Sequence, residues 1–274
     1  MLRTPPSVLT GDWVGHSQGR DVADREKVLN LPGVISALLG VMAAVQLFAV
    51  LAPSSLVHGF YGAFAFIPLR LSFALAPERV LAALGALPLD QGAEEIAVQL
   101  SDGPLVFLTP LTYAFLHGGW THLAINALTF AAFGAPVAHR LGVRRFLWFF
   151  GACAVAGALT HFALHPLDAT PVVGASAAIS GTMAAIVRFA FTPGARLGRG
   201  AMDGRGTRTA SLSQLGENRQ AMLFLIVWFG ANLLFGVFPE AMGSTEPIAW
   251  EAHLGGFLFG LLTFGAFDHW GRRV

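Results

Sequence analysis

The chain has 274 residues, of which 54% are hydrophobic and only 12% charged, where a soluble domain carries about 25% charged residues. Mean hydropathy is +0.61. These values exclude a disordered chain, a nucleic-acid-binding tail protein and an ordinary soluble enzyme, and they point to a protein that crosses a membrane several times. The net charge of +1 says nothing about partners, and the single cysteine, Cys153, excludes an intramolecular disulfide and a cysteine metal site.

A bilayer core of ~30 Å takes about 20 apolar residues in a helix. In chain order, the spacing predicts spans over Leu31–Ala52, His122–Val137, Phe146–Leu164, Val172–Val187, Ala221–Phe238 and Trp250–Phe267. Leu56–Leu89 is apolar too, but Arg70, Glu78 and Arg79 interrupt it and Pro68, Pro77 and Pro88 break it. It reads as a long first loop lying in the interface. Residues 192–219, rich in Gly, Arg, Ser and Thr, read as a flexible cytoplasmic loop.

The charges agree with six spans. Four Lys/Arg lie in residues 1–30, three in 138–145, six from Arg188 to Arg219 and two at Arg272 and Arg273, fifteen on one side. The other side holds Arg70 and Arg79. By the positive-inside rule both termini are cytoplasmic. The expectation is an all-α polytopic membrane protein. It has a cytoplasmic segment 1–30, a six-helix membrane domain 31–267 and a cytoplasmic tail 268–274. Thirty residues precede the first span, with Asp12, Asp21, Asp24 and Glu26 among the bases, which does not read as a signal or transit peptide. One lysine among seventeen basic residues, with abundant Ala and Gly, fits a GC-rich bacterial genome and hence the inner membrane.

Polar groups inside spans are expensive, so each is a candidate functional group. The second, fourth and sixth spans run from outside to inside, and each opens on unusual polar residues. The second has His117 just before it, then His122 and Asn126. The fourth starts at Gly174-Ala175-Ser176, and the sixth carries His253. All therefore lie at one depth, near the outer face. His122 and Asn126, at i and i+4, share a helix face, and both can donate hydrogen bonds. Ser176 would sit in the first turn of its helix, where N–H groups are unpaired and the dipole is positive. His253 could take its proton. No Asp or Glu lies inside the second or fourth spans, so a hydrolase here would be a Ser–His dyad. Glu251, two residues from His253, points to a different side of the helix. Gly174 and Gly181 flank Ser176, and Gly256 and Gly260 form a G-x-x-x-G on the helix of His253. Small residues of this kind let membrane helices approach closely.

At these residues the chain resembles the rhomboid intramembrane serine proteases. The matching motifs are His117-Gly-Gly-Trp-Thr-His122 with Asn126, Gly174-Ala175-Ser176, and Ala252-His253-Leu-Gly-Gly256, within a six-span layout over residues 31–267. The resemblance implies Ser176 as nucleophile and His253 as general base. It implies His122, Asn126 and the Ser176 N–H as the oxyanion hole. It also implies transmembrane protein substrates and neither metal nor cofactor. Four positions depart from the family pattern. Ala177 stands where many members have Gly, and Ser180 where an aromatic often packs on the base. Leu108-Thr109 replaces a Trp-Arg pair, and Ala138 replaces an acidic residue before Arg140-Leu141-Gly142.

The alternative readings are a catalytically inactive rhomboid-like binder of membrane clients and a small-molecule transporter. The transporter lacks the two-half inverted repeat that would support it. His117 reads as structural, bridging the first loop to the helix end. His161 and His165 have metal-ligand spacing, but nothing acidic or sulfur-bearing joins them in the sequence, so they read as interface histidines. Trp120, Trp148, Trp228, Trp250 and Trp270 read as aromatic-belt anchors. The arginines of 188–219 are a topology signal, not a nucleic-acid patch. Lipid is an expected partner, and the oligomeric state is not legible.

Overall fold

Residues 31–85, 103–191, 208–238 and 248–270 are described by the computed structural model. Among them all regular structure is helical, apart from one isolated bridge. The calls on residues 1–30 and on the tail beyond 270 lie outside the described residues.

Helix α1 (Gly33–Leu51) is uncharged throughout and stops before Pro53, whose ring disfavours a helical residue ahead of it. The first loop is then not irregular. It folds into α2 (Ser54–Phe64), α3 (Pro68–Leu75) and α4 (Pro77–Gly85). Pro68 and Pro77 open α3 and α4, a position where the missing N–H costs nothing; these prolines begin helices. Arg70 is buried and donates to the Gly62 carbonyl. A 3-10 turn (Pro104–Leu108), α5 (Thr109–Thr112) and a second 3-10 turn (Tyr113–Phe115) lead to the next long helix.

That helix spans Trp120–Leu141 in three parts: α6 (Trp120–Thr129), a π-turn (Phe130–Gly134) and α7 (Ala135–Leu141). Pro136 explains the π-turn, because its ring cannot accommodate the carbonyl one turn back. Gly142, at φ +73°, makes the left-handed turn into α8 (Val143–Leu164). Then follow α9 (Ser176–Phe189), α10 (Leu212–Glu217), α11 (Arg219–Val237) and α12 (Trp250–His269). Of the loop expected over 192–219, residues 192–207 lie outside the described residues, and Leu212–Glu217 within the rest is helical as α10. It is fixed by a capping box in which the Ser211 hydroxyl accepts from the Gln214 N–H and the Gln214 side chain from the Ser211 N–H.

Gly33–Leu51, Trp120–Leu141 and Val143–Leu164 are long and apolar enough to cross a membrane. Helix α9 has 14 residues, ~21 Å at 1.5 Å per residue, short of the ~30 Å hydrocarbon core. The expected span from Val172 therefore starts later. Val172 instead pairs with Phe66 in an antiparallel bridge, tying residues 166–172 to the first loop. Helix α9 is buried almost all round, as a central helix must be.

In lipid, helices associate through close packing of small residues rather than through hydrophobicity, and α9 follows that rule. A Cβ on Gly256 of α12 would strike the Ala177 carbonyl, and one on Gly260 would lie 2.5 Å from the Gly181 oxygen. The pairs 177/256 and 181/260 advance together, so α9 and α12 run parallel and in register. Gly157 of α8 faces Ala177 and the Ala252 carbonyl in the same way. Ala177, where many family members carry Gly, is accommodated because α8 presents a glycine opposite it. Trp228 is not a belt anchor: it is buried and stacks on Phe257, centroids 3.9 Å apart.

At the other end of the bundle, Arg140 grips Asp268 with two bonds of 2.9 and 2.8 Å, both side chains buried. Thr209 donates to the same carboxylate at 2.6 Å. Asp268 supplies from α12 the carboxylate that Ala138 lacks. Arg188 is buried as well and donates to the carbonyls of Ala210 and Leu261, so it ties α9 to its neighbours.

Candidate active site

Three helix N-termini meet at one end of the bundle. Ser176 is the first residue of α9, and no side chain caps that end, so its leading N–H groups are free of side-chain partners. The approach to it is fixed from two directions. The Gly174 N–H donates to the Tyr113 carbonyl at 3.0 Å, and the buried Tyr113 hydroxyl donates to the Ala154 carbonyl at 2.9 Å. Gly174 has φ +116°, a conformation that needs glycine. Space requires it too: a Cβ there would lie 2.7 Å from His122 Nε2 and 3.8 Å from Asn126 Nδ2. Both groups predicted to share a face of α6 therefore lie against the turn that delivers Ser176.

Hydrogen bonds set the proton positions on these rings. The Gly118 N–H donates to His122 Nδ1 at 3.4 Å, which leaves the proton on Nε2, the nitrogen beside Gly174. Asn126 Nδ2 spends one N–H on the His122 carbonyl at 3.1 Å and keeps a second to donate. His253, one turn into α12, accepts no bond from Ser176. Among the described residues none joins the two side chains directly, so the contact of 2.6–3.2 Å that a resting dyad would show is not made. Instead His253 Nδ1 lies 2.9 Å from Asn232 Oδ1 on α11. Asn232 Nδ2 donates to the Trp250 carbonyl at 3.2 Å, which fixes the amide with its oxygen toward the ring. Nδ1 must then carry the proton, and Nε2 is left as a bare base. Asn232 was not singled out from the sequence, where one Asn in an apolar run reads as helix glue.

His117 is buried and meets the His122 ring edge-on at 5.1 Å. Its carbonyl accepts from the Tyr61 hydroxyl of α2 at 2.7 Å, the bridge from first loop to helix end that the sequence suggested. Burial, then the neighbouring His122, push the His117 imidazole down to about 4, so it is neutral at physiological pH.

On another face of the first turn of α12, Glu251 points away from His253, as its offset requires. It meets His165 Nε2 at 2.9 Å and His161 Nδ1 at 3.5 Å. The sequence reading that nothing acidic joins these histidines is corrected: the carboxylate comes from a helix 86 residues away. This trio is the one group among the described residues with a composition and closeness suited to a metal ion.

The family pattern described as the Rhomboid domain matches residues 106–267, a stretch that holds Gly174, Ser176, His122, Asn126, Asn232 and His253. The chain is also similar to the rhomboid protease GluP of Bacillus subtilis (strain 168), 29% identical over 159 residues. That match covers 58% of this chain and 25% of GluP, so the chain spans only a quarter of that relative's length. With more than half of the sequence inside the family pattern, the chain belongs to the rhomboid family.

Proposed function

We propose that this protein is an intramembrane serine endopeptidase that cleaves transmembrane protein substrates in or near their membrane segments. The Ser176 oxygen attacks the scissile carbonyl, and His253 Nε2 takes its proton. Negative charge on the carbonyl oxygen is met by His122 Nε2–H, the free Asn126 N–H and the Ser176 N–H. His253 then protonates the leaving amine, and water releases the acyl group by the same route in reverse. No metal or cofactor enters these steps.

The observation that carries this reading is Gly174, whose bare Cα brings the start of α9 against both His122 and Asn126. The absence of a resting Ser176–His253 bond fits a site whose catalytic bonds tighten on binding substrate. In this reading α9, α11 and α12 complete six spans with α1, α6–α7 and α8. Both termini are cytoplasmic, and the site opens near the outer face of a bacterial inner membrane.

The test is labelling of the detergent-solubilised protein with a fluorophosphonate probe, with Ser176→Ala and His253→Ala alongside. Labelling of the wild type alone supports the reading. A wild type unlabelled in detergent, and inert toward a transmembrane substrate in liposomes, would favour a client-binding protein without protease activity.

A further inference from the structure

We propose that His161, His165 and Glu251 form a binding site for zinc(II), with Asp168 supporting His161 from behind. The proposal does not rest on the protease reading. Ligand atoms of the three residues all lie within 4.8 Å of one another. Two donors in a tetrahedral zinc site, each ~2.0–2.1 Å from the ion, are ~3.3 Å apart. The structure has Glu251 Oε1 2.9 Å from His165 Nε2, and Oε2 3.5 Å from His161 Nδ1. Those separations need only small side-chain adjustments to enclose an ion.

The second observation concerns His161. It is only 5% exposed, yet neither ring nitrogen makes a hydrogen bond. A buried polar group in that state is costly and calls for a partner. Its Nδ1 faces Glu251, while its Nε2 lies 3.6 Å from Asp168 Oδ2. A metal-bound histidine ordinarily gives its other N–H to a carboxylate, which fixes the ring and strengthens it as a ligand. Asp168 is itself held, its Oδ1 accepting the Thr170 N–H at 2.8 Å.

Two imidazoles and one carboxylate suit zinc and reject magnesium and calcium, which prefer all-oxygen shells. His165, about half exposed, gives an ion a path in from water and leaves a fourth position for a water ligand. The ion would clamp the last turn of α8, the loop after it and the first turn of α12, so its binding stabilises the fold.

The full chain is used without a polyhistidine tag, stripped with chelator and dialysed, then titrated with zinc chloride. Metal content and thermal unfolding are both read. One zinc per chain and a raised Tm are expected, with magnesium chloride giving neither. His165→Ala, at an exposed position that does not threaten folding, should weaken zinc binding at least tenfold and abolish the Tm rise. Glu251→Gln should do the same. A wild type that retains no zinc and shows no shift overturns the site, as does His165→Ala binding zinc as the wild type does.

Discussion

Asn232 on α11 accepts the Nδ1 proton of His253 on α12, at 2.9 Å. This bond decides which imidazole nitrogen is free to act as a base. It also holds the ring where many relatives use an aromatic four residues after the serine, a position occupied here by the buried Ser180. Removing the acceptor should lower kcat while leaving KM unchanged. A neutral hydrogen bond of ~1 kcal/mol corresponds to about a fivefold loss for Asn232→Ala. Asn232→Asp keeps an accepting oxygen and should restore most of the rate. Steady-state kinetics on a transmembrane substrate, with Tm measured beside it, checks this. Equal losses in both variants would make Asn232 a packing residue only.

The two side-chain donors beside Gly174 should act on the transition state. Asn126→Ala and His122→Ala are each expected to cost ~3 kcal/mol, on the order of a hundredfold in kcat, with little change in KM. Asn126→Ala should leave stability nearly untouched, because the carbonyl it bonds belongs to its own helix. A wild-type kcat in Asn126→Ala would remove it from the oxyanion hole.

The sequence singled out four residues of the candidate site, for a local reason. His122 and Asn126 are one helical turn apart, and His253 sits in the first turns of a helix whose start at Trp250 hydropathy locates, whereas hydropathy sets the start of the Ser176 helix four residues early, at Val172. Asn232, Asp268 and Glu251 were not legible, because their partners lie 21, 128 and 86 residues away and no periodicity reports a tertiary contact. Arg140 showed as a positive flank and as part of the Arg140-Leu141-Gly142 match, neither of which reports its burial against Asp268. Helix α10 carried a readable signal, the Ser211–Gln214 capping-box spacing, hidden inside a Gly- and Arg-rich stretch. The late start of α9 follows from the Phe66–Val172 bridge, another contact between distant segments.

Gly256 is the tightest point between α9 and α12, since an added Cβ meets a backbone carbonyl that no rotamer change can move. Gly256→Val should force the helices apart, destabilise by about 1–3 kcal/mol and carry His253 away from Ser176. Gly230→Ala, on α11 with nothing within 4 Å of the new Cβ, is the control and should keep both Tm and labelling. Fluorophosphonate labelling together with thermal unfolding in detergent separates the two. Full activity in Gly256→Val would mean that the α9–α12 spacing does not govern the site.

The Arg140–Asp268 pair tests how the far end of the bundle is held. Both side chains are buried, so losing one takes the opposite charge away from the other, whereas losing both leaves no unbalanced charge of this pair. Arg140→Met should therefore lower stability by about 3–5 kcal/mol, and Asp268→Leu should do likewise. The double variant should recover most of that loss, although Thr209 is deprived of its carboxylate. The Arg140 guanidinium also lies over the Phe189 ring, 4.7 Å from its centroid, and Met can fill that space with an apolar chain. Thermal unfolding of the four proteins in one detergent gives the coupling directly. Additive losses in the double variant would show that the two residues stabilise the bundle separately, through their other contacts.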